Sequence, residues 1–79
     1  MKFVIKDENK KEDLITKDFK EAYQYLKEHV FDPKELMSMQ KIKNAMDYDI
    51  SKEKEQSAFG FYIDEAETKY MRLDVYYNE

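Results

Sequence analysis

Two runs near the C-terminus, Ala58-Phe59-Gly60-Phe61-Tyr62-Ile63 and Tyr70-Met71-Arg72-Leu73-Asp74-Val75-Tyr76-Tyr77, decide the fold. Each alternates apolar and other residues with a period of two, the pattern of a half-buried antiparallel strand. Phe59, Phe61 and Ile63 share one face of the first, and Met71, Leu73 and Val75 one face of the second. Residues opposed across an antiparallel pair have a constant sum of numbers. Both apolar sets are odd-numbered, so that sum must be even. A sum of 134 pairs Ile63 with Met71, Phe61 with Leu73 and Phe59 with Val75. It also opposes Glu65 to Lys69 and Tyr62 to Arg72, both favourable pairs. The connecting loop is then Ala66-Glu67-Thr68, without the Gly or Asn usual in tight hairpins.

The stretch before these strands, residues 47–57, is polar apart from Tyr48 and Ile50 and reads as a loop. Further upstream the apolar spacing becomes helical. Phe19, Ala22, Tyr23, Leu26 and Val30 form one stripe at 3.6 residues per turn. Asp18-x-x-Glu21 has the form of a capping box at its start. Asp32-Pro33-Lys34-Glu35 reads as a second helix start, with Asp at the N-cap and Pro at the first helical position. Pro33 disfavours helical geometry at Asp32, so the first helix should end by about Phe31. The second helix is expected over 33–46, with Leu36, Met39, Ile42 and Met46 inside. At the N-terminus, residues 2–6 read as a strand and 7–11 as a turn. Asp13-Leu14-Ile15-Thr16 is a short candidate for the returning strand.

The fold class is therefore α+β in a single small domain over residues 1–79. It comprises an N-terminal strand or hairpin, two consecutive helices and a C-terminal β-hairpin. The strands form one antiparallel sheet with the helices on one face.

Composition bounds the function. The chain has 79 residues with formal net charge −4. Leu, Ile, Val and Phe make up 17 of them, just above the level of about one-fifth below which disorder is expected. Seven Tyr and five Met must therefore supply much of the buried area, with Met filling gaps in the core rather than forming a cofactor box. No Cys is present, which excludes disulfides, thiolate metal sites and a cysteine nucleophile and points to a cytoplasmic protein. The apolar run at the start is too short for a signal peptide or membrane helix. A bacterial or phage source is suggested only by the excess of Lys over Arg and the small size.

Catalytic equipment is sparse. His29 is the only histidine, and its place near a helix end suits a cation. Ser38, Ser51 and Ser57 lack the glycines of a nucleophile elbow, and the single Gly60 makes no phosphate loop. Asp47-x-Asp49-x-Ser51 matches the first half of a calcium loop, but Lys52 and Ala58 stand where Gly and Glu are required. No cofactor and no metal are expected, and the chain reads as non-enzymatic.

The outer face of the C-terminal hairpin carries Tyr62, Tyr70, Arg72, Asp74 and Tyr76, with Val4 joining from the first strand. Tyr and Arg are enriched at binding hot spots, although Tyr also simply stabilises sheets. Tyr62, Tyr70, Arg72 and Tyr76 are thus the expected contact residues for a protein partner or for self-association. The protein would be an inhibitor, an immunity-like protein or a small regulator. Nucleic-acid binding through the same face is the alternative. The lone Arg72 and the even spread of acids and bases along the chain argue against it. No membrane partner is expected.

Overall fold

The computed structural model describes residues 1–79. The elements are β1 (Lys2–Lys6), β2 (Glu12–Thr16), α1 (Phe19–His29), α2 (Met39–Ser51), β3 (Gln56–Tyr62) and β4 (Tyr70–Tyr76). The four strands form one antiparallel sheet in the order β2-β1-β4-β3. This is the α+β architecture expected from the sequence. The N-terminal hairpin forms. Asp7 closes its turn by accepting the backbone N–H groups of Asn9 and Lys11, each at 2.9 Å. Lys10 adopts a left-handed φ of 65° there.

The core lies between the sheet and the two helices. Phe3 and Ile5 of β1 and Met71, Leu73 and Val75 of β4 meet Ala22 and Leu26 of α1 and Ile42 and Met46 of α2. Complete burial of a Leu or Ile side chain stabilises by roughly 1.5–3 kcal/mol. The aromatics expected to supplement this core do so partially: Phe19, Tyr23, Tyr25, Phe59, Phe61 and Tyr77 pack around its margin.

Four expectations need correction. First, the second helix begins at Met39 rather than residue 33, with Ser38 as N-cap accepting from Lys41 N–H. Asp-Pro-Lys-Glu builds a turn instead: Asp32 Oδ1 accepts from Lys34 N–H, and Asp32 O from Glu35 N–H. Asp followed by Pro is also a type I turn signature, so the same residues satisfied a different local structure. Second, residues 47–51 belong to α2. Ile42, Met46 and Ile50 continue the spacing of four, and Glu53, at φ 61°, follows the helix end. Asp47 and Asp49 are therefore helical, which removes the half-match to a calcium loop. Third, Asp18 caps α1 through Lys20 N–H, while Glu21 makes no return bond.

The fourth correction is the hairpin register. Its sum is 132, not 134, opposing Ser57 to Val75, Phe59 to Leu73 and Phe61 to Met71. The sum is still even, so each apolar residue keeps its face. The two-residue shift opposes Tyr62 to Tyr70 and Gly60 to Arg72. The expected Glu65–Lys69 and Tyr62–Arg72 pairs do not form. The connection spans residues 63–69, and Asp64 organises it. Its carboxylate accepts from the N–H groups of Thr68 and Lys69 and from the Thr68 hydroxyl. Glu67 takes a left-handed φ of 56°. An Asx-type turn thus replaces the Gly or Asn of a tight hairpin.

Candidate functional site

On the outer sheet face, Ile15 of the edge strand β2 stands exposed opposite Val4, and β1, β4 and β3 carry two further regions. Over the centre of the face, Val4 lies opposite Asp74, as the alternation of β1 and β4 requires. Asp74 is only 2% exposed although no helix covers this face. Neighbouring long side chains roof it. Arg72 Nε stands 2.9 Å from Asp74 Oδ1, and Arg72 Nη2 donates to Oδ2 at 3.1 Å. Lys6 Nζ approaches Oδ2 at 3.3 Å. The bond to Asp74, more than any other influence, holds the Lys6 ammonium above its ordinary pKa. Lys2 lies 5.2 Å from the centre of the Tyr76 ring. Arg72 and Tyr76, both expected as contact residues, are thus half-buried and engaged within the chain.

The second region is the loop end of the β3–β4 hairpin. Tyr62 and Tyr70 are direct cross-strand partners, 52% and 45% exposed. Phe31, 55% exposed, joins them from the segment after α1. Its backbone N–H donates to Tyr62 O at 3.2 Å, fastening that segment to β3. Phe31 could not be assigned from the sequence. It follows the apolar stripe of α1, and only the tertiary position of the 30–36 segment brings it beside the hairpin. An open groove of about 370 Å³ runs between the two. Phe31 and Tyr62 line it together with Asp32, Glu35, Asp64, Glu65 and Glu67, and no Lys or Arg does. Such a lining favours a cationic group and repels phosphate.

At the opposite end of the hairpin, the Ser57 hydroxyl donates to Asp49 Oδ2 and is also hydrogen-bonded to the Tyr77 hydroxyl. Lys54 pairs with the other Asp49 oxygen at 3.3 Å. The Ser57 bond, chiefly, lowers the Asp49 pKa, and burial, chiefly, raises that of Tyr77. This cluster ties α2, β3 and the end of β4 together, and Ser57 itself is buried. His29 sits at the end of α1, its ring stacked on Tyr25 at 4.0 Å and its Nδ1 2.8 Å from Tyr25 O. No three His, Cys, Asp or Glu side chains converge as a metal site, and no helix is long and apolar enough to cross a membrane.

No family model, no curated protein and no solved structure matches the chain.

Proposed function

We propose that this chain is a small, non-enzymatic protein-binding module of the cytoplasm, of inhibitor, immunity-like or regulatory type. It contacts its partner through Tyr62 and Tyr70, with Phe31 at the margin. The observation that carries this reading is the exposed tyrosine pair, set across β3 and β4 beside a central Arg72–Asp74–Lys6 cluster whose side chains are engaged with one another. Tyrosine brings a large contact area at low entropic cost. The adjoining carboxylates favour a partner that places Lys or Arg against them, and they weigh against nucleic acid. Arg72 and Tyr76 serve this surface indirectly, by fixing the strand that carries Tyr70.

The test is a binding isotherm with a partner first captured from the source cell and then purified. Replacing Tyr62 and Tyr70 together by Ser should weaken binding by more than about tenfold, since each hot-spot residue contributes about 2 kcal/mol. Unchanged affinity would dispose of the reading.

A further inference from the structure

The sheet has two edges, β2 and β3, and they are guarded differently. β2 carries Glu12 and Asp13, and the register of the β1–β2 pair is broken between Ile5 and Lys6. Charges and bulges are the usual means of discouraging strand addition. β3, Gln-Ser-Ala-Phe-Gly-Phe-Tyr, has no charged residue, no proline and no bulge.

The direction of the β3 backbone follows from three hydrogen bonds. Tyr77 N–H donates to Glu55 O, and Ile63 N–H donates to Lys69 O, so odd-numbered residues face β4. Phe31 N–H reaches Tyr62 O from the other side. By the alternation of a strand, the N–H and C=O groups of Gln56, Ala58 and Gly60 then point away from the sheet. The free edge begins with the strand at Gln56 and ends where Phe31 closes it at Tyr62. Ala58 is its midpoint. Ala58 is exposed, and a Cβ added at Gly60 would meet nothing within 4 Å.

We propose that a second copy of this chain pairs with this edge, β3 against β3, about a two-fold axis at Ala58. Gln56 then opposes Gly60 of the second copy, Ala58 opposes its own counterpart, and Gly60 opposes Gln56. Each of these pairs exchanges two N–H···O bonds, and the two sheets become one. No other register fits as well. Moving the axis to Phe59 requires the Tyr62 carbonyl that Phe31 occupies. Moving it to Ser57 pairs Gly60 with Lys54, which lies outside the strand.

Edge pairing alone buries a small area, so the dimer should be weak, in the micromolar range or above. This surface is the β3 backbone rather than the tyrosine pair, so the inference stands or falls separately from the proposed partner site.

The absence of cysteine in the chain makes a register-specific test clean. In a hydrogen-bonded pair the opposed Cα atoms lie about 5.5 Å apart, within disulfide range. Under mild oxidation Ala58→Cys should convert to a disulfide-linked dimer. Gln56→Cys should convert far more slowly, because the two copies of that residue would lie about 13 Å apart. Sedimentation of the unmodified chain should show the mass rising from 9.7 kDa toward twice that value with concentration. Ala58→Pro removes one outward N–H and should remain monomeric with an unchanged melting curve. Should Ala58→Pro fail to fold, Ala58→Lys, which leaves every N–H in place, serves instead. Equal cross-linking of the two cysteine variants would overturn the proposal, as would a monomer persisting up to about 1 mM.

Discussion

Arg72 and Asp74 stand two residues apart on one face of β4, and the guanidinium holds a carboxylate that is almost entirely removed from water. Nη2 makes the aligned hydrogen bond, while Nε is at ion-pair distance without one. Lys6, on the neighbouring strand, completes the arrangement. Replacing Arg72 by Ala leaves Asp74 buried with Lys6 alone. Leaving a buried polar group short of partners costs about 1–3 kcal/mol, so the melting temperature should fall by several degrees. Chemical denaturation of Arg72→Ala, Asp74→Ala and the double variant should give non-additive losses, because the two residues share one interaction. Additive losses would mean that the pair contributes nothing.

The pH dependence of stability should have two limbs. Asp49 and Asp64 lie below the ordinary 3.8, held there mainly by the Ser57 and Thr68 hydroxyls respectively. The unfolded chain therefore takes up protons first as pH falls, and stability is lost below about 4. Lys6 lies above its ordinary 10.5, through Asp74, and Tyr25 and Tyr77 lie above 10.0, through burial. The native state retains these protons longer, so stability also falls as pH rises past about 10. Urea midpoints measured from pH 2 to 11 should give a plateau between about 5 and 9. Asp64→Asn should make the acid limb shallower and leave the alkaline limb unchanged.

The start of α2 provides a third prediction. Ser38→Ala removes the side-chain cap on Lys41 N–H and should cost about 1 kcal/mol. Pro33→Ala should leave the helix content measured by circular dichroism unchanged, because Pro33 lies in a turn before the helix. Unchanged stability in Ser38→Ala would show that the helix is not capped there.

In the core, Ile42 of α2 is fully buried among β-sheet and helix side chains. Ile42→Ala should destabilise by about 2–5 kcal/mol. That is a large fraction of the stability of a domain this small, and denaturant titration measures it directly.

The parts of this fold legible in the sequence were those carried by periodicity. The α1 stripe and the odd-numbered faces of β3 and β4 follow from side-chain spacing alone. The hairpin parity was fixed by the need to keep Phe59, Phe61, Met71 and Leu73 on one face, but parity does not distinguish 132 from 134. The choice was made by Asp64, whose carboxylate gathers the loop in a way no residue count reveals. Asp32-Pro33 misled because a turn and a helix start use the same chemistry. At the candidate site, the exposure of Tyr62 and Tyr70 agrees with their place on the outer face. The engagement of Arg72 could have been anticipated from Asp74 two residues away on the same face, since a carboxylate at a central strand position needs a partner. Phe31 carried no comparable signal.

The tyrosine pair, and not the Arg72 cluster, is the proposed partner surface. The most direct measurement compares the affinity of the purified partner for the unmodified chain and for Tyr62→Ser/Tyr70→Ser, with melting curves recorded alongside. Affinity should fall by more than about tenfold while the melting temperature drops by only a few degrees, because a cross-strand pair contributes about 0.2–1 kcal/mol to folding. Full affinity in the double variant would contradict this assignment.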